Sequence, residues 1–238
     1  MMSRLAWLGA IAIALATVPA GAQQQPPQHE HHDHAAMQAE KGAAEQMAPG
    51  HHHAGPHIVL SPERTLTPAD QQRADALIQT LRASLEKYRD YRVAIADGYQ
   101  PFLAELPLPE HHFTNYRYGF LNAFWFDAAR PTSLLYRKTP GGGWELTGAM
   151  YTAPQRASEW RLDRRVPLSV ARWHQHVNIC LPQKDRAYAA DWTKYGPAGS
   201  IATEDACREV NGRWMPHLFG WMVHVYPWES DPAKAWAR

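Results

Sequence analysis

The sequence predicts an α+β fold: one long N-terminal amphipathic helix packed on an antiparallel sheet or a partly closed β-barrel. Three observations predict it. Apolar residues recur at three-four spacing after Thr67-Pro68, the pattern of a helix with one buried stripe. After Gly98 that spacing stops, and short alternating segments separated by Gly and Pro take over. All nine tryptophans beyond the leader lie after residue 124, where they are expected to fill the core of the sheet.

The chain has 238 residues, 45% of them hydrophobic, enough for a real buried core. Its 24 basic and 23 acidic side chains nearly cancel, which argues against electrostatic binding of nucleic acid. Residues 1–22 read as a signal peptide: Arg4, an apolar run from Leu5 to Val18, then Pro19 and the small residues Ala20, Gly21 and Ala22. The run is too short for a good membrane span, and no later stretch approaches one, so no stable span is expected after cleavage. A periplasmic or secreted location follows. Residues 23–57 form a His-rich leader with few branched or aromatic side chains, a composition expected to be disordered. Eight of the fourteen histidines lie there: His29, His31, His32, His34, His51, His52, His53 and His57. Clustered imidazoles bind borderline metals such as copper and zinc, although the same composition serves equally as a low-complexity spacer.

Residues 58–238 are read as a single α+β domain. Thr67 is positioned to cap a helix with Pro68 at its first position, and Asp70 completes a box-like pattern. The stripe Ile78, Leu81, Leu85, Tyr88 and Ile95 predicts one helix over 68–97, ended by Gly98. Residues 133–138 and 144–152 read as a hairpin around Pro140-Gly141-Gly142-Gly143. Residues 170–181 read as a further strand, and 203–210 as a short helix capped by Thr203 and stopped by Asn211-Gly212. Residues 213–218 and 221–228 read as a final strand pair around Gly220. Cys180 and Cys207, the only two cysteines, are expected to form a disulfide in an exported chain, stabilising it by roughly 3 kcal/mol on chain-entropy arithmetic.

The chemistry-bearing segment is Trp173-His174-Gln175-His176-Val177-Asn178-Ile179-Cys180. Strand alternation puts His174, His176, Asn178 and Cys180 on one face, and Trp173, Gln175, Val177 and Ile179 on the other. Two same-face imidazoles are a common way to build two legs of a zinc or copper site, though not a signature by themselves, and a third leg is needed from elsewhere. The last strand offers a third, because Met222, His224, Tyr226 and Trp228 share a face. His174, His176 and His224 leave a fourth position open, and Met222 adds a soft donor that favours copper. Glu110-His111-His112, read as a connection after Pro109, supplies a further candidate ligand in His112 or His111, with Glu110 as a base or supporting carboxylate. His217 reads as superficial.

Expected, then, is a metal-binding protein for copper or zinc. The alternatives are a metal-dependent enzyme, hydrolytic or oxidative, with Glu110 catalytic, and a non-catalytic module that binds a small molecule in a polar pocket. No His-Glu-x-x-His, Gly-x-Ser-x-Gly, phosphate loop or dinucleotide fingerprint is present. His174-x-His176 lacks the glutamate that a cupin strand places a few residues on, with Asn178, Cys180 and Leu181 standing there instead. The segments Asp97-Gly98-Tyr99, Leu134-Leu135-Tyr136, 148–152, 173–180 (Trp-His-x-His-x-Asn-x-Cys) and 221–227 (Trp-Met-Val-His-Val-Tyr-Pro) together resemble a family of exported bacterial proteins. The resemblance covers most of residues 90–230. It implies a shared domain and assigns no reaction and no site residue.

Overall fold

The computed structural model describes residues 55–102 and 108–236. The residues read as a signal peptide and most of those read as a His-rich leader lie outside the described residues. The architecture is α+β, with a seven-stranded, open antiparallel sheet. Its strands are β1 (Ile58–Leu60), β2 (Gln100–Pro101), β3 (His111–Thr114), β4 (Ser133–Lys138), β5 (Trp144–Ala153), β6 (His174–Leu181) and β7 (Arg213–Val225). Their order across the sheet is β1-β6-β7-β5-β4-β3-β2.

One face carries the main core. Ala74, Leu81 and Leu85 of helix α1 (Pro68–Leu85) pack there with Tyr88 and Ala94 against Phe113, Leu134, Tyr136, Tyr151, Trp173, Val223 and Val225. Thr67 caps α1 as its sequence predicts, accepting from the Asp70 amide at 3.1 Å. Asp70 itself turns outward to Arg73 and to the hydroxyl of Ser169, tying the helix to the turn before β6.

The single helix expected over 68–97 is three pieces: α1, a 3₁₀ turn at Glu86–Arg89, and α2 (Tyr91–Ala96). The hydrogen bond that would carry an α-helix from the Tyr88 carbonyl to the Arg92 amide is replaced at both ends. Tyr136 donates its hydroxyl to the Tyr88 carbonyl at 2.6 Å, and Asp90 caps the Arg92 amide at 3.0 Å. Rotation at the break buries Ala94 and leaves Ile95, a residue of the expected stripe, 43% exposed.

The β4–β5 hairpin forms where expected. Its turn is held by Thr139 and Gly143, with Gly142 at φ 79°. The final strand pair does not: β7 is one strand of 13 residues, bent at Phe219 with φ 66°. Gly220 is there for close approach and not for a turn, because a Cβ on it would lie 2.2 Å from the Ala153 carbonyl oxygen. Residues 170–173, read as strand, end a turn and run without regular structure into β6. Helices α3 (Tyr116–Asn122) and α4 (Glu159–Arg165) were not legible as helical periods. Each is a two-turn element held by a side-chain cap, Asn115 and Ser158 respectively. The tryptophans divide: Trp173 and Trp236 are buried, whereas Trp125 and Trp160 are 73% and 63% exposed.

The disulfide between Cys180 and Cys207 is formed, joining the end of β6 to α5 (Glu204–Glu209). His57, read as the last residue of the leader, belongs to the folded part. Its ring is buried and contacts the Asn178 carbonyl at 2.9 Å and the Gly199 carbonyl at 2.7 Å. Among the described residues no helix is long and apolar enough to cross a membrane.

Candidate metal centre

The second face of the sheet bears the candidate site. On β7, strand parity sends Val223 and Val225 into the main core, and sets Met222, His224 and Tyr226 on the opposite side. Just before β6, Trp173 joins the main core, while His174 and His176 of β6 lie with His224. The His174 ring centroid is 5.2 Å from those of both His176 and His224. The alternation does not continue to Cys180. A register shift between His174 and His176, and Asn178 at φ 57°, break it, and Cys180 packs with Ile201 and Cys207.

The pairing of β3 with β4 decides between the two adjacent histidines. His111 and Phe113 face the main core, where His111 meets the edge of Trp144 at 5.0 Å between centroids. Burial there, with Lys138 nearby, lowers the His111 pKa. His112 faces the other way. Its Nε2 lies 3.1 Å from Nε2 of His224. Burial and the neighbouring His111 push the His112 pKa down to about 4, so the ring is neutral at pH 7, the form that can bind a metal.

That contact reports the shape of the sheet. β3 and β7 are separated by β4 and β5. Three steps of ~4.8 Å would hold parallel side chains on a flat sheet roughly 14 Å apart. The sheet therefore curls until the two rings touch across its concave face. Two further contacts cross the same concave face, the second from beside β2. Tyr226 donates to Glu110 Oε2 at 2.9 Å, and the rings of Phe102 and Phe219 stand 5.7 Å apart.

Glu110 lies just before β3, with both carboxylate oxygens engaged: Thr147 donates to Oε1 at 2.5 Å, and Tyr226 to Oε2. Burial raises its pKa against the opposing pull of these two hydroxyls. The Tyr226 pKa is also raised, by burial and by Glu110 itself, so the phenol keeps its proton and remains the donor.

Beside the imidazoles opens a groove of about 440 Å³, lined by Thr114, Phe120, Thr132, Met150, Thr152 and Phe219 among others. Met150 is the cross-strand partner of His224, so the groove and the histidine cluster share a wall. Of the hydroxyls lining the groove, Thr132 pairs with Thr152 at 2.7 Å, and Thr114 pairs with Ser133 behind it at 2.9 Å. Nothing in the sequence marked these residues, because they come together only through strand register.

The four candidate ligands His112, His174, His176 and His224 thus come from three strands to one face. His112 and His224 bring their ring nitrogens within 3.1 Å of each other. Among the described residues no three His, Cys, Asp or Glu side chains are placed to hold one ion. A metal bound to both nitrogens at about 2.05 Å would subtend roughly 100° at their 3.1 Å separation, close to a tetrahedral angle. The same spacing suits a hydrogen bond between neutral rings. His217 is exposed on the outside of β7. Comparison of the chain with known protein families, with curated proteins and with solved structures gives no match.

Proposed function

We propose that this is a periplasmic or secreted protein that binds copper or zinc through His112, His174, His176 and His224. The observation that carries the proposal is the His112–His224 contact, with the rings of His174 and His176 alongside on the same concave face. Four imidazoles from three strands gather on one face, each at the cost of hydration lost on burial. The disulfide accords with export. The His-rich leader would supply the ion: β1, immediately after it, pairs Ile58 with His176 and Leu60 with His174, so the chain enters the fold beside the site.

The test is metal content after chelation and reloading. One tight equivalent is expected in the full chain and in a variant lacking residues 23–54, which leaves His57 in place. His224→Ala is expected to weaken that equivalent by roughly a hundredfold or more. Loss of all tight binding on removal of the leader alone would place the metal elsewhere and end the proposal.

A second reading, a metal-dependent enzyme, is favoured by the groove that shares Met150 with the cluster. Glu110, two residues before His112 along the chain, is then the residue to handle protons. Glu110→Gln is expected to keep the metal and abolish turnover of whatever substrate the wild type converts. Loss of metal instead would make the carboxylate a ligand.

A further inference from the structure

The imidazoles of the concave face cannot by themselves choose between copper and zinc, because both metals accept them. Sulfur can choose. Cys180 and Cys207 are committed to their disulfide, so the sulfur donors of the described fold are the thioethers of Met150, Met215 and Met222. Two of these three stand among the histidines.

The sheet register fixes their places. His174 of β6 is directly opposite Met222 of β7, and His224 of β7 is directly opposite Met150 of β5. Directly opposed residues of an antiparallel pair have Cβ atoms roughly 4.5–5.5 Å apart. Met222 and His224 are two residues apart on one strand and share a face. The result is a patch in which imidazole and thioether alternate across three strands. Met150 and Met222 are 6% and 4% exposed, and they pack together with Leu135 and Tyr226. Met215 pairs with Ile179, well along β7 from the patch.

A thioether is neutral and soft, and selects Cu(I). Three rotatable bonds let the sulfur reach an ion without backbone movement. If packing were the only role, leucine would serve as well beside Leu135.

We propose that the ion is Cu(I), held by the sulfurs of Met150 and Met222 together with imidazoles of the same cluster, of which His224 and His174 stand directly opposite them, and that the site so prefers Cu(I) to Zn(II). This rests on the metal-binding reading above and names its ion and oxidation state. No reaction is involved: the ion binds as delivered.

The test uses the full chain, stripped of metal, in two competition titrations: Cu(I) under anaerobic reducing conditions against a Cu(I) chelator, and Zn(II) against a zinc chelator. The wild type is compared with Met150→Leu, Met222→Leu, the double variant and Met215→Leu. Leucine is close in volume to methionine, so the variants are expected to melt near the wild type. The leader's Met37 and Met47 are common to all of them, so differences report on the folded site. Each single variant is expected to weaken Cu(I) by roughly tenfold and the double variant by roughly a hundredfold, with Zn(II) and Met215→Leu unchanged within about twofold. The sulfur shell in the copper X-ray absorption spectrum should shrink in the double variant. Unchanged Cu(I) affinity and an unchanged sulfur shell would overturn the proposal. So would an equal loss of both metals, which would reduce the methionines to packing, or tighter Zn(II) than Cu(I) in the wild type. A wild type that takes neither ion in either titration would instead overturn the metal-binding reading itself.

Discussion

Trp173→Ala is expected to lower the unfolding free energy by about 3–5 kcal/mol, the cost of deleting a large aromatic side chain from a close-packed core. Trp173 is fully buried and belongs to the cluster that joins α1 to the sheet. It is also the residue immediately before His174. Its backbone is clamped to Ser61, which accepts from the Trp173 amide at 3.0 Å and donates its own amide to the Trp173 carbonyl at 2.7 Å. Emptying the space beneath β6 therefore loosens both the core and the strand that presents two of the four imidazoles. Urea titration should show a lower midpoint with an unchanged slope, and metal affinity should fall with it. A loss under about 1 kcal/mol would mean that the core does not lean on this ring.

Replacing both cysteines with serine is expected to cost roughly 3 kcal/mol, chiefly through the freedom regained by the unfolded chain. The bridge closes residues 27 apart and is buried with Ile201 under Tyr195 and Trp214. Gly212 is fitted against it, since a Cβ there would stand 2.4 Å from the Cys180 sulfur and 2.7 Å from that of Cys207. The functional consequence should differ from that of Trp173→Ala. Cys180 lies six residues beyond His174, roughly 20 Å along an extended strand, so the folded variant should still bind its ion. Thermal or urea unfolding together with metal stoichiometry separates the two outcomes. Loss of metal from a folded variant would show that the bridge shapes the site as well as stabilising the fold.

Local chemistry alone determined several features. Thr67 and Thr203 cap helices because their hydroxyls reach the amide three residues on. Period-two alternation placed His174 with His176, and Met222 with His224 and Tyr226, because side chains on a strand can point only two ways. The disulfide followed from an even pair of cysteines in a chain read as exported. Each of these depends on residues within a few positions of one another, or on a choice with one answer.

What only the tertiary structure decided depends on distant partners. The helix expected over 68–97 breaks because a tyrosine 48 positions away takes the Tyr88 carbonyl. Gly220 stays in a strand because Ala153 of β5 presses against it. The choice of His112 over His111 rests on pairing with β4, since four residues of strand carry no periodicity of their own to reveal a face. The meeting of His112 with His224 needs a sheet that curls through three strand steps, and twist accumulates across strands that no single segment encodes. Met150 joined the histidines for the same reason: register between strands is set by the packing of whole faces, which the linear order of residues leaves open.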